Sequence, residues 1–407
     1  MAFFISMQFR ERLILYALLT SLTSLSIDAL LPGLRAIGAE LGTPPPLSTQ
    51  HVISLFIFGM AFGELLLGPI SDAIGRKRAL LFGLGIYLCG TVIAMLANSL
   101  EMVIVGRFLQ GIGVSGPKIA TRAMIRDQFE GNAMARVMSF MFTLFILVPM
   151  IAPALAQGLI SIAGWRSVFV AYLVISLALG LWLAIRHPET LPAERRIPFR
   201  PRLLVANGIR ILSNRRVTLL FVASGLVFGA QLLYLSTAAD IFYDAYGVAE
   251  TLPFYFAGLA ISMALAFFMN ARLVQRFGME AMARGAFIGL ASITFVMMIA
   301  SIAYGNHLPF PAFLVMLFIT FFTMGLLFGN LNALAMQSLG QIAGFGASII
   351  ASGSSLVSTL FAIAFGRLYD GTVVYLSVGF FVAGISALAV AEVALRSDAS
   401  AVKAADC

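Results

Sequence analysis

The sequence predicts an all-α membrane protein, with 12 transmembrane helices arranged as two pseudo-symmetric six-helix bundles. Three observations carry this prediction. Only 11% of the 407 residues are charged and 60% are hydrophobic, against about 25% charged in an average soluble domain. Too few polar side chains remain to coat a soluble globule of this length. Hydrocarbon offers the backbone no hydrogen-bond partners, so each spanning segment satisfies its own N–H and C=O groups, as a helix or within a closed barrel. The second observation, long apolar runs in place of short alternating ones, selects helices. The third is one long polar interruption near the middle of the chain.

Apolar stretches long enough to span fall at 12–31, 47–70, 79–97, 102–124, 134–159, 165–185, 217–238, 251–275, 281–303, 311–335, 343–366 and 372–395. An even number of crossings places both termini on one side. With that side cytoplasmic, 20 of the 26 Lys and Arg residues fall in cytoplasmic segments, three outside (Arg35, Arg166, Arg367) and three within the fourth helix. The positive-inside rule then puts both termini in the cytoplasm. The same distribution explains the net charge of +8 without nucleic acid, because the basic residues punctuate apolar segments and form no basic domain. Arg10 and Arg12 precede the first stretch, but no Ala-x-Ala-like cleavage site follows, so this is expected to be a retained first helix.

The domain organisation follows as an N-terminal six-helix bundle over 1–185, a cytoplasmic linker over 186–216, and a C-terminal six-helix bundle with a short cytoplasmic tail over 217–407. The linker holds eight arginines together with Pro188, Pro192, Pro198 and Pro201. It is expected to be a solvated loop in contact with anionic membrane lipids. Six helices, linker and six helices is the layout of two-half transporters, whose substrate sits between the halves.

Charge inside apolar segments is the most chemical signal, because an ionised side chain at mid-bilayer costs several kcal/mol or more unless it finds a partner or water. Asp28 lies near the outer end of the first helix, and Arg107 lies at a similar depth in the fourth. A carboxylate that alternately meets and loses a cationic neighbour exchanges protons, which makes Asp28 and Arg107 a candidate proton-coupling pair. A permanent structural ion pair is the plainer reading of the same residues. Lys118 and Arg122 follow Arg107 on nearly one meridian of the fourth helix, and such a stripe must face partners or a watery cavity. Glu64, in the second helix, is at a depth similar to Lys118. Either the two pair, or Glu64 is a second proton site. Gln231 and Asn332 are further cavity candidates, since a buried amide must find a partner, and Tyr234 is another, since its ring can stack on a planar ligand.

Several chemistries lose support. Gly111 to Lys118 places Pro117 where a phosphate loop needs Lys, so no nucleotide site is expected. His51, His187 and His307 are far apart, which leaves neither a metal site nor a His-based triad. Cys89 and Cys407 have no ligand spacing. The chain reads as no enzyme, with no cofactor.

The loop after the second helix runs Gly68-Pro69-Ile70-Ser71-Asp72 and continues to Gly75-Arg76-Lys77-Arg78, which resembles the signature loop of the major facilitator superfamily. The resemblance implies a conformational latch made by Gly68, Asp72, Gly75, Arg76 and Lys77; Ala73 departs from the family's basic residue. Ser26-Ile27-Asp28-Ala29-Leu30-Leu31-Pro32, Arg107-Phe108-Leu109-Gln110-Gly111 and Gly164-Trp165-Arg166-Ser167-Val168-Phe169 are similar to motifs of its Bcr/CflA multidrug efflux branch. So are Glu189-Thr190-Leu191-Pro192, Asn270 to Gly278, Ala343-Gly344 and Ala347-Ser348. The antiporter motif of the fifth helix survives only as Pro149 and Pro153. This resemblance implies the major facilitator fold and a monomeric, multi-pass protein of the bacterial inner membrane. It also implies a proton-coupled antiporter that exports small organic molecules or drugs by alternating access, with the proton gradient as its energy source. At Lys118 and Arg122 the relatives have small or uncharged residues, and at Glu64 they have Gln. That departure raises the alternative of an acidic or zwitterionic metabolite as cargo, such as a carboxylate siderophore, selected by a cationic cavity.

Overall fold

The computed structural model describes residues 7–129, 131–248, 251–306, 308–337, 339 and 343–405. His307 and Cys407 lie outside them. The chain forms two compact units, Met1–Arg200 and Pro201–Cys407. The first contains α1 (Phe9–Asp28), α2 (Leu34–Leu41), α3 (Gln50–Ile74), α4 (Arg76–Met95), α5 (Leu100–Gln128), α6 (Gly131–Ala163) and α7 (Arg166–Arg186). The second contains α8 (Pro201–Leu212), α9 (Arg215–Asp244), α10 (Leu252–Phe277), α11 (Met279–Ala303), α12 (Phe310–Gln337), α13 (Ala343–Gly366) and α14 (Val374–Ala405). No strand occurs among the described residues.

Each apolar stretch of the sequence falls on one of these helices, and ten segments, with α1 and α2 counted as one, are long and apolar enough to cross a membrane. In α6 the apolar run Leu147–Ala163 is shorter. The expected first segment, 12–31, is interrupted. α1 ends at Asp28, Leu31–Gly33 form a 3-10 turn, and α2 follows. Pro32 explains the break, because it has no N–H to donate and it biases Leu31 away from helical geometry.

The linker is a second correction. The segment 186–216 is not simply a solvated loop, since it contains a 3-10 turn at Ala193–Arg195 and the helix α8. α8 carries apolar residues at Leu203, Leu204, Ile209 and Ile211 between its arginines, and it packs on α9 and α13 of the second unit. The boundary between the units therefore falls within the expected linker.

In the first unit α5 packs along both α3 and α4. A Cβ added at Gly111 would strike main-chain atoms of Phe56 and Met60, and one at Gly113 would strike Gly83 and Tyr87. Without side chains at these positions the helix backbones touch, which is the packing that small residues permit between membrane helices. Gly85, on α4, has open space around its Cα. Gly111→Val is accordingly expected to destabilise the protein by about 1–3 kcal/mol or more through overpacking. Gly85→Ala should be neutral or stabilising by about 0.5–1 kcal/mol through helix propensity. Thermal melts of the two variants in detergent check the contrast.

Candidate functional site

Arg107 is 0% exposed, and all three of its guanidinium nitrogens donate hydrogen bonds. Its Nε donates to the Val52 carbonyl at 3.1 Å, Nη1 to Gln110 Oε1 at 2.9 Å and Nη2 to the Ser26 carbonyl at 2.9 Å. Its guanidinium lies 4.2 Å from the centre of the Phe56 ring. Gln110 is oriented in turn by donating to Thr91 Oγ1 at 2.7 Å. Ser26 and Tyr87 share a hydroxyl contact of 2.7 Å, and Tyr172 donates to the Ser26 carbonyl at 3.3 Å. One cation thereby ties together α1, α3, α4, α5 and α7 through neutral groups.

Asp28 is two residues beyond the carbonyl that Arg107 holds, yet the two do not form the pair expected from sequence. Among the described residues the Asp28 carboxyl makes no hydrogen bond or ion pair, although the residue is only 7% exposed. Each of the three guanidinium nitrogens instead donates to a neutral acceptor, the Val52 carbonyl, the Gln110 side chain or the Ser26 carbonyl. A fixed cation thus holds the chain two residues before a buried carboxyl that lacks a partner among the described residues.

Glu64 and Lys118 are brought together as an ion pair between α3 and α5. Lys118 Nζ also approaches Met60 Sδ at 3.6 Å, and Ser115 Oγ donates to the Met60 carbonyl at 3.1 Å. Arg122, one turn further along α5, is exposed. Of the two readings that the sequence left open for Glu64, this geometry is the paired one.

The loop after α3 is built around Arg76, which is 5% exposed. Its Nη1 pairs with Asp72 and donates to Ser71 Oγ at 3.1 Å, and its Nε reaches Asp127 Oδ2 at 3.1 Å. Gly68 is buried one turn before Asp72. Gly75 turns the chain with φ +105°, a region where a side chain is strained. Lys77 sends its Nζ to the Ala184 carbonyl at 2.8 Å. Glu189 docks on the same place, accepting from Arg76 N at 2.8 Å and Lys77 N at 3.2 Å. A carboxylate there complements the exposed N–H groups and positive dipole end of α4. Sequence reasoning missed Asp127 and Glu189. Glu189 stood inside a recognised motif, but nothing in a motif names the helix end that it caps.

In the second unit Tyr234 is fully buried, its ring packed against Phe256 and Phe321, and its hydroxyl has no partner among the described residues. Gln231 is half-buried and its Nε2 lies 3.7 Å from Met263 Sδ. Asn332 is exposed, so it is not the buried amide expected. That amide is Asn330, 2% exposed, which exchanges hydrogen bonds with Asn270 at 2.7 and 3.5 Å. Two residues turn a helix by about 200°, so the neighbouring asparagine points the other way. Pro149 and Pro153 lie within α6 without ending it, and Pro153 is buried.

Among the described residues no three His, Cys, Asp or Glu side chains gather as a metal site. His187, just beyond α7, is fully buried. Its Nδ1 donates to the Pro188 carbonyl at 2.6 Å, which leaves Nε2 to accept from Tyr16 OH at 2.6 Å, while Tyr16 accepts from Gln128 at 2.6 Å. Burial pulls His187 below its ordinary value of 6.5, and Arg12 and Lys77 add to this against the opposing pull of the Pro188 carbonyl and Glu189. A histidine lowered in the folded state contributes stability above its unfolded value, and that stability is lost as pH falls through the folded one. The melting temperature should therefore drop as pH is taken below about 6.5, and His187→Gln should flatten that drop. Tyr234→Phe removes an unpartnered hydroxyl, whose burial costs about 1–3 kcal/mol. Its melting temperature should stay level or rise; a fall would show that the hydroxyl has a partner.

Comparison with known proteins places this geometry. Residues 16–362 match the family described as the Major Facilitator Superfamily. An uncharacterized transporter of this type from Bacillus subtilis, YdgK, is 28% identical over 350 residues, covering 84% of this chain and 85% of its own. A bicyclomycin resistance protein homolog of Haemophilus influenzae is 28% identical over 268 residues, 66% of this chain and 67% of its own. The multidrug transporter MdfA of Yersinia pestis is 32% identical over 212 residues, 50% of this chain and 48% of its own. Among solved structures, a peptide transporter aligns with a TM-score of 0.74 at 13% identity, covering 97% of this chain and 96% of its own. A D-xylose-proton symporter aligns at 0.73 and 13%, covering 94% and 96%. These relatives and neighbours are transporters, not enzymes, and the chain belongs to the Major Facilitator Superfamily.

Proposed function

We propose that this protein is a proton-coupled antiporter that exports small organic molecules, drugs among them, from the cytoplasm by alternating access. The observation that carries the proposal is Asp28, a buried carboxyl without a hydrogen-bond or ion-pair partner among the described residues, two residues beyond the Ser26 carbonyl held by Arg107, whose three nitrogens all donate to neutral groups. Such a carboxyl is free to take up and release a proton as its access to water changes, while Arg107 supplies a constant positive potential nearby. The proton gradient is the energy source and no cofactor is required. The drug-resistance names of two relatives support the cargo class.

Twelve crossings complete the reading. α5 is too charged to be counted by apolarity, but its 29 residues give about 43 Å of helix, more than a hydrocarbon core of about 30 Å. Its charges Arg107 and Lys118 are met within the protein. α6, with 33 residues, is the other. The distribution of Lys and Arg supports both termini in the cytoplasm, and the family resemblance supports a monomer of the bacterial inner membrane. The loop of Asp72, Gly75, Arg76 and Lys77 acts as the latch whose ion pairs change during the transport cycle. The acidic-cargo reading is the weaker one, because Glu64 neutralises Lys118 and leaves Arg122 as the single excess positive charge of the three.

Everted membrane vesicles test the proposal. With a preset proton gradient, adding a substrate should release protons, and Asp28→Asn should bring that release to background. Silence across neutral, cationic and anionic candidates would remove the exporter reading, and full release by Asp28→Asn would remove Asp28 as the coupling carboxyl.

A further inference from the structure

Glu64 and Lys118 differ in access. The Glu64 side chain is 0% exposed and that of Lys118 is 21% exposed. Lys118 Nζ is held on a second side by Met60 Sδ at 3.6 Å, one turn before Glu64. Lys118 is thus the more accessible member of the pair, and Glu64 lies wholly behind the protein surface.

We propose that Lys118 is a specificity-determining residue, a tethered counter-cation that closes the Glu64 carboxylate to permanently cationic cargo. The inference rests on the transport reading and narrows it to cargo without a permanent positive charge. A buried carboxylate demands one cation, and a side chain fixed to the adjacent helix competes for it at high effective concentration. A diffusing cation that displaced Lys118 would leave an ammonium unpaired in a poorly solvated place, so displacement carries its own opposing cost. Arg122 adds a second positive charge on the next turn of the same helix and keeps the cluster net positive with Lys118 in place. An uncharged or anionic molecule meets neither obstacle. Glu64 in turn holds Lys118 within the membrane and so sets where that barrier stands.

The test is equilibrium binding of tetraphenylphosphonium to the purified full-length protein in detergent. The wild type should show no saturable binding. Lys118→Met, which keeps most of the stem and drops the charge, should bind the cation at least about tenfold more tightly than the wild type does. The double variant Glu64→Gln with Lys118→Met should lose that binding, and Lys118→Arg should behave as the wild type. If Lys118→Met is not monodisperse, Lys118→Gln takes its place. Saturable binding by the wild type overturns the proposal, and that arm needs no substitution at all. A monodisperse Lys118 variant that binds no better than wild type, or a double variant that still binds, overturns it equally. None of these measurements depends on export or proton flux, so their failure is distinct from failure of the antiporter reading.

Discussion

The contact between α5 and its two neighbours is the constraint on which the first unit depends. With Gly111 against Phe56 and Gly113 against Gly83 and Tyr87, backbones meet where side chains would otherwise stand. Such a fit leaves no slack in rotation or register, because interiors are packed to crystal density and a single methyl is felt. That rigidity decides where the charges of α5 go. Arg107 is presented to carbonyls of α1 and α3, and Lys118 to Glu64. A looser helix could turn those side chains toward lipid, where each would cost several kcal/mol.

The two units then divide the chemistry unequally. Every charged side chain that is buried among the described residues belongs to the first unit: Asp28, Glu64, Arg76 and Arg107. The second unit buries hydroxyls and Asn330, which pairs with the half-buried Asn270, with aromatic clusters around Tyr234 and Phe242. A duplicated layout has kept its packing in both halves while ionisable groups that could answer to a proton sit in one.

Much of this was legible in the sequence, and the rest was lost for identifiable reasons. Apolar runs mark the helices because length and hydropathy are local properties. The embedded charges announce themselves because their cost does not depend on the fold. The partners do not: Val52 and Ser26 hold Arg107 through main-chain carbonyls, and every residue has one. The choice between Asn330 and Asn332 turns on the phase of a helix that is apolar almost all round, where periodicity gives no orientation. Composition made 186–216 look like loop, yet its stretch Pro201–Leu212 holds only two arginines, Arg202 and Arg210, among mostly apolar residues and forms α8. Glu189 meets α4 across 113 positions of sequence, beyond any local signal.

That separation also orders the birth of the protein. α4 emerges early, with the N–H groups of its first turn aimed at an empty place. The carboxylate that fills it arrives 113 residues later, roughly 6–20 s at the usual pace of synthesis. By then α5, α6 and α7 have been made, so the turn at Gly75 is closed only after the sixth long helix has followed it into the membrane. Glu189 is a clasp fastened last: the first half is sealed by a residue that exists only once the half is complete.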